Sequence, residues 1–284
     1  MSPLAAPPVT RLIVGCGFLG RVAAARWLAQ GHRVSALTRA NADTLRATGV
    51  EPVTGDVLAR DTHRALPTAD TVLYAVGMDY RAGHSMRDVY VQGLANVLDA
   101  LPTCGRFIYI SSTSVYGQSD GDFVTETSPT EPAEESGRVV LEAEALLRAR
   151  RQDAIILRSA GLYGPNRLLR KQPILRGEPL VGDAGKWLNL VHVADAAAAI
   201  LHTEAHAPPG ETYNVSDGTP VSRRDFYTLL AELLHAPAAT FDHRQEPGAP
   251  NRRIDATKLR ALGWAPTFPS YREGLTAAVA ETTI

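Results

Sequence analysis

Cysteine is scarce: the chain holds two, Cys16 and Cys104, in 284 residues. Their positions suggest neither a disulfide pair nor a metal site, so a reducing, cytoplasmic setting is the expectation. Excess charge of either sign is missing too. The net charge is -1, which leaves no electrostatic footprint for nucleic acid or an anionic membrane. No apolar run approaches the ~18 residues needed to span a bilayer. Met1 to Thr10 lacks a basic n-region and an apolar h-region. Its prolines predict a flexible lead over residues 1–9 rather than a signal peptide. Lysine is short as well, with only Lys171, Lys186 and Lys258. What remains is an ordinary globular composition, 45% hydrophobic and 21% charged. The length suits one large α/β domain, or a domain with a small lobe.

Glycine, by contrast, is concentrated where it carries information. Gly15-Cys16-Gly17-Phe18-Leu19-Gly20 follows the apolar run Leu12-Ile13-Val14 and precedes helical spacing from Val22 to Leu28. Strand, glycine turn and helix in that order form the context of a dinucleotide-binding fingerprint. Gly15 permits the tight turn, Gly17 a close backbone approach to pyrophosphate, and Gly20 close helix–strand packing. The helix N-terminus offers free N–H groups and a positive dipole end. Cys16 reads as a reactive thiol at that terminus or, more simply, as a small turn residue.

Strand and helix signals alternate from Arg11 to about Ser159. Strands are expected at Arg11–Val14, Arg33–Leu37, Pro52–Thr54, Thr71–Val76, Phe107–Ser111 and Ala154–Leu157. Helices are expected at Leu19–Ala29, Ala42–Thr48, Ser85–Ala100 and Ala133–Arg150. This alternation predicts a Rossmann-like, doubly wound parallel sheet that binds its ligand beyond the strand C-termini. After Gly161 the pattern changes to turn-rich segments, a strand at Leu188–Val191, a helix at Ala194–His202, a strand at Tyr213–Val215 and helices at Ser222–Leu234 and Asp255–Leu262. The expected organisation is a dinucleotide-binding core, mainly residues 10–160, and an interleaved substrate lobe, mainly 161–284. Gly164 to Lys186 reads as a mobile cover.

The expected cofactor follows from the second strand, which ends Ala36-Leu37-Thr38-Arg39. No acidic residue stands there to bind ribose hydroxyls. Arg39 can fork onto a 2′-phosphate and Thr38 can donate a hydroxyl, which predicts NADP(H) in preference to NAD(H). The competing reading of Arg39 is a solvated loop charge. Asp56, with Val57, is placed to accept from an adenine amino group or to cap a helix. Ala75, Val76 and Gly77 are small enough to let a ribose lie close.

The fifth strand runs into Ile110-Ser111-Ser112-Thr113-Ser114-Val115-Tyr116-Gly117. Leu157 to Pro165, Leu190 to Asp195 and Lys258 to Trp264 form further blocks. Together with the glycine turn, these resemble the extended short-chain dehydrogenase/reductase superfamily, home of nucleotide-sugar epimerases and dehydratases. The resemblance covers nearly the whole chain. It implies a cofactor wall made of Ser111, Ala160, Gly161 and Leu162 alongside the residues above, and substrate contacts from Thr113, Tyr80, Arg158 and Asn189. It also implies a small polar or sugar-like substrate, no metal, and a monomer or a dimer packed through Ser85–Ala100 and Ala133–Arg150. Its chemistry uses a Ser or Thr, a Tyr and a Lys four residues after the Tyr. Ser112 matches the first. In Glu135-Ser136-Gly137-Arg138-Val139-Val140, Ser136 stands at the Tyr position and Val140 at the Lys position. No lysine of this chain follows a tyrosine at that spacing.

A serine is a far weaker acid than a phenol, so the usual relay is missing. Tyr116 reads as a replacement phenol or as an aromatic of the pocket wall. Arg138 reads as a substitute cation or a solvated side chain, and Tyr80 and His84 as substrate contacts or mobile surface residues. His192 reads as a ring that satisfies a backbone group, and Asp195 as an N-cap or first-turn acid. Two functions remain open at this point. One is an NADP(H)-dependent oxidoreductase or epimerase-like enzyme, with Ser112, Tyr116 and Ser136 at its centre. The other is a dinucleotide-binding sensor or regulatory module that does no chemistry.

Overall fold

The computed structural model describes residues 9–101, 103–242 and 250–283. Except for Val9, the expected N-terminal lead lies outside them. In chain order the first elements are β1 (Thr10–Val14), α1 (Phe18–Ala29), β2 (Arg33–Thr38), α2 (Ala42–Ala47), β3 (Glu51–Thr54), β4 (Thr71–Tyr74), α3 (Gly93–Ala100) and β5 (Arg106–Ser112). Then come β6 (Phe123–Val124), α4 (Glu135–Arg150), β7 (Ile155–Ser159), β8 (Gly161–Tyr163), α5 (Lys171–Leu175), β9 (Leu180–Val181), β10 (Trp187–Leu188) and β11 (Leu190–His192). The last are α6 (Val193–His206), β12 (Thr212–Val215), β13 (Val221–Ser222), α7 (Arg223–Leu233), β14 (Phe241–Asp242), β15 (Arg253–Ile254), α8 (Thr257–Ala261) and α9 (Tyr271–Ala280). Among the described residues no helix is long and apolar enough to cross a membrane.

A seven-stranded parallel sheet runs in the order β12-β7-β5-β4-β1-β2-β3. β1 pairs in parallel with both β2 and β4. The strand order therefore reverses direction beside β1, and a crevice opens at the C-terminal ends there. Leu12, Ile13 and Val14 are wholly buried, as strands covered on both faces require. Glycines, prolines and short apolar runs place these elements to within a few residues of the sequence expectation. The main departures are local. β4 stops at Tyr74, which frees Ala75 to Gly77 to turn. The helix expected at Ser85–Ala100 contains a π-helical stretch, Asp88–Gln92, that leads straight into α3. α9 and the short strands β6, β9, β13, β14 and β15 carried no clear periodic signal, since two-residue strands are too short to show one.

The chain forms two compact units. The first holds the described residues through Ser111, together with Val139–Ile156 and Ile200–Glu211. The second holds Ser112–Arg138, Leu157–Ala199 and the described chain from Thr212 onward. The Ser112–Arg138 segment, placed by sequence with the core, thus clusters with the second unit.

In the first unit, Leu12, Val14, Val72, Tyr74, Phe107 and Tyr109 of the sheet pack with Leu94, Val97 and Leu98 of α3 and with Ala143 and Leu147 of α4. Tyr74 stacks on Tyr109, with ring centroids 5.7 Å apart. In the second unit, Tyr163, Phe226, Leu230, Tyr271 and Leu275 form the centre of a separate core. α9 approaches Tyr163 at Gly274, where any Cβ would collide with the phenol oxygen. Asp195 lies in the first turn of α6, but its carboxylate is fully buried and accepts from the backbone N–H groups of Thr267 and Phe268, at 2.7 and 2.9 Å. His192 accepts from the Ala194 N–H at 3.3 Å, and burial lowers its pKa.

Asp217 is a buried carboxylate of the second unit. It is 2% exposed, and Oδ1 accepts from the Thr219 N–H while Oδ2 has no hydrogen-bond partner among the described residues. Burial raises its pKa from 3.8 to about 7. The Thr219 N–H and Arg260 act against that rise, and Asp195 and Glu273 add to it. The folded state therefore holds this proton more tightly than the unfolded chain, and stability falls as pH rises from about 4 through about 7. Asp217→Asn keeps the Oδ1 acceptor and removes the charge. Thermal unfolding should show the two proteins alike near pH 4 and the variant higher by at least ~3 °C at pH 8. Equal melting temperatures at both pH values would mean that Asp217 does not titrate in the fold.

Candidate active site

The glycine turn is built by contact, not by flexibility alone. Gly15 has φ +95°, and a Cβ there would lie 2.6 Å from the Ala75 carbonyl and the Val76 nitrogen. A Cβ on Gly20 would lie 2.7 Å from the Gly15 oxygen. At Gly17 no atom lies within 4 Å of the Cβ position. Gly17 is also the N-cap of α1, and no side chain caps that helix. Space, the first-turn N–H groups and the positive dipole end therefore coincide at one place, which suits a pyrophosphate.

Beyond the ends of β1 to β4 lies a cavity of about 320 Å³. Gly15, Thr38, Arg39, Asp56, Val57, Ala75, Val76 and Gly77 line it, all from the expected cofactor set. Arg39 is half exposed, donates to Asp79 at 2.7 Å, and lies 3.9 Å from the Asp56 carboxylate. Its hydrogen bond holds the Asp79 carboxyl below the usual carboxylate pKa. Asp56 Oδ1 accepts from the Leu58 N–H at 2.9 Å, a local turn that leaves Oδ2 nearer Arg39. Asp79, His84 and Val89 line the cavity as well. Asp79 and Val89 were missed by sequence, since the irregular loop after β4 and the π-helical stretch bring them in. Cys16 is buried, and burial pushes its thiol up to about 11, which disfavours the thiolate.

Other expected cofactor residues lie elsewhere. Phe18 opens α1, and Leu19 and Gly20 are buried within it. Ser111 donates its hydroxyl to the buried Glu144 at 2.5 Å. Ala160, Gly161 and Leu162 belong to the second unit, where β8 pairs with β11. Tyr80, an expected substrate contact, is 78% exposed on the loop after β4.

In the second unit, Ser112 opens a single 3₁₀ turn, Thr113–Val115, and its Oγ accepts from the Ser114 N–H at 3.1 Å. Gly137 lets the start of α4 rest on the Ser114 carbonyl, where any Cβ would collide. This brings the Ser136 segment to the Ser112 turn. Ser136 Oγ lies 3.5 Å from Glu134, and Arg138 donates to the Ala133 carbonyl at 2.7 Å. Val140 is buried. Tyr116 is fully buried. Its hydroxyl donates to Asn214 at 2.8 Å and accepts from Arg158 at 3.0 Å. Burial raises its pKa against the opposing pull of Arg158.

A second cavity, about 280 Å³, is lined by Ser114, Glu134, Lys186, Trp187, Asn189, Pro250 and Arg252. Asn189 does not spend its amide on this space. Nδ2 donates to the Arg252 carbonyl at 2.8 Å, and Oδ1 accepts from the Ile254 N–H at 2.7 Å. Arg252 donates to the Thr113 carbonyl at 2.6 Å. Its neighbour Arg253 stacks on Phe123 and Trp187, 4.3 and 5.3 Å from the ring centroids. Sequence reasoning missed Arg252, because strand pairing far along the chain is what aims it.

A glycine cradle at the switch point of a parallel sheet, with a serine-rich turn after the fifth strand, defines a dinucleotide-binding enzyme of the short-chain dehydrogenase/reductase type. The chain belongs to the NAD dependent epimerase/dehydratase family, whose sequence model matches residues 12–216. Protein YeeZ of Escherichia coli K12 is 30% identical over 270 residues, which span 90% of this chain and 95% of YeeZ. A solved structure described as a putative NAD-dependent epimerase/dehydratase from Methylobacillus flagellatus is 31% identical with TM-score 0.77, covering 96% of this chain and 98% of that one. DesIV, a dTDP-glucose 4,6-dehydratase from Streptomyces venezuelae solved with NAD and TYD bound, is 25% identical with TM-score 0.83, covering 96% of each chain.

The cradle makes a sharp demand on Gly15. Gly15→Ala should weaken dinucleotide binding at least ~10-fold, because the new methyl must push β4 and β1 apart at a positive φ. Isothermal titration checks this, and unchanged affinity would mean that the turn does not shape the site.

Proposed function

We propose that this protein binds NADP(H) in preference to NAD(H) and uses it to oxidise, reduce or epimerise a small polar substrate without a Tyr-Lys pair. The observation that carries the preference is Arg39 lining the first cavity at the end of β2, with no acidic residue in Thr38–Asn41. A guanidinium matches a 2′-phosphate in two-point geometry. Asp79 now holds Arg39 at a half-exposed site, so a phosphate must compete with it for the same donors.

The bound nicotinamide supplies the hydride chemistry. The chain must hold a substrate oxygen and manage its proton. Ser112 suits the first task, since its Oγ already accepts from the Ser114 N–H and so its own proton is free to be donated. Tyr116 suits a positioning role in the wall, because its proton is committed to Asn214. Ser136 and Glu134 lie together beside the Ser112 turn and offer a hydroxyl and a carboxylate for proton handling. The buried Val140 cannot supply the cation that the usual relay needs.

Arg39→Ala should weaken NADP+ at least ~10-fold, the scale of a charge-assisted hydrogen bond, and change NAD+ little. Asp79→Asn should tighten NADP+ by removing the competitor. Both are read by isothermal titration. Equal losses for the two dinucleotides in Arg39→Ala would reject the phosphate reading. Stabilisation by only one redox form would favour a redox sensor instead.

A further inference from the structure

Arg252 is a guanidinium held still and left short of partners. The segment that carries it is pinned along both edges. Asn251 donates its N–H to the Gln118 carbonyl and accepts at its carbonyl from the Gly121 N–H, at 2.9 and 2.8 Å. Arg253 and Asp255 donate to the Asp122 and Val124 carbonyls. On the opposite side, Asn189 grips the backbone on either side of Arg253, and Asn251 Oδ1 accepts from the Trp187 N–H at 3.0 Å. Alternation along the strand then sends Arg253 into its aromatic stack and Arg252 to the cavity beside Thr113.

Five N–H donors sit on that guanidinium. The Thr113 carbonyl takes one of its nitrogens, and no carboxylate among the described residues forms an ion pair with it. Burial lowers its pKa from the ordinary arginine value, and Glu134 at longer range acts against that. A preorganised cation that forms no ion pair among the described residues is what an oxyanion site needs, since the reorganisation cost is already met by the fold. Lys186 lines the same cavity and Glu134 the same space. Glu134 can accept from a hydroxyl of the same ligand. A volume of about 280 Å³ lies at the small end of the roughly 300–1,000 Å³ range of ligand pockets, which suits a monosaccharide-sized molecule.

We propose that this cavity binds the oxyanion of a small hydroxylated acid, a carboxylate or phosphate on a sugar-sized carbon skeleton, and that Arg252 is its anion-binding residue. This rests on the reading of the protein as an enzyme for small polar substrates and narrows that substrate to an acid. The oxyanion is bound next to the Ser112–Ser114 turn, so the reacting carbon lies close to the acid group.

The test titrates D-glucuronate, D-glucose 6-phosphate and D-glucose into the full chain by calorimetry without cofactor, and NADP+ in a separate run. One or both acids should bind and neutral glucose should not, and which acid binds identifies the oxyanion. Arg252→Gln should weaken the acid at least ~10-fold, and Arg252→Lys, which keeps the charge but loses the fork, should fall between. NADP+ affinity should match wild type in both variants, which also reports that they fold. Binding of glucose equal to the acids, acid binding unchanged in Arg252→Gln, or no acid binding at all would each overturn the site. Failure of NADP+ to bind would instead overturn the cofactor reading and leave the acid result standing.

Discussion

The close approach of two backbones at Gly15 is the constraint on which the cofactor site depends. The peptide of Ala75 and Val76, just past β4, occupies the space where a side chain on residue 15 would begin. Gly20 repeats the demand one turn into α1, against the Gly15 carbonyl. Strand, turn and helix can then stack without a layer of side chains between them. The N-terminus of α1 is left uncapped and open, and the small residues Ala75 to Gly77 form the facing wall. The residues that line that crevice, from Thr38 and Arg39 to Asp56 and Asp79, are arranged around it by the parallel strands that end there.

The second unit solves a different problem with different means. Its strands are mostly two residues long, too short to order themselves. Side chains do the joining instead. Asn189 replaces a missing ladder rung by bonding the backbone on both sides of residue 253, and Arg253 staples Phe123 to Trp187. Gly137 and the Ser114 carbonyl set the start of α4 against the serine turn. The result is a polar recess lined by segments far apart in the sequence. The Ser136 segment meets the Ser112 turn beside this recess, which Ser114 and Glu134 line.

Much of the first unit was legible because its signals are local. An apolar run, a glycine turn and an amphipathic stretch each lie within a dozen residues, and the alternation of such units admits few topologies. Arg39 as a cavity residue follows from its distance beyond the glycines. The second unit was less legible for a physical reason. Arg252 is aimed by hydrogen bonds to residues more than sixty positions away in sequence, and no periodicity records such pairings. Tyr116 illustrates the intermediate case. Its place after the fifth strand was evident, but whether its hydroxyl faces a ligand or the interior depends on Asn214 and Arg158, which arrive from β12 and β7.

The sequence alone determined the fold class, the glycine cradle, the absence of the Tyr-Lys pair and the absence of an acid at the end of β2. These are matters of residue identity at short spacing, and steric exclusion and chain chirality translate them directly into structure. Only the tertiary structure decided which polar groups are already spent. Ser111 is bound to Glu144, Tyr116 to Asn214 and Arg158, and Asn189 to a neighbouring strand. Arg252 alone among these keeps donors turned to a cavity. Hydrogen-bond capacity is consumed by whatever the fold brings within about 3 Å, and that proximity is not written at any one position of the chain.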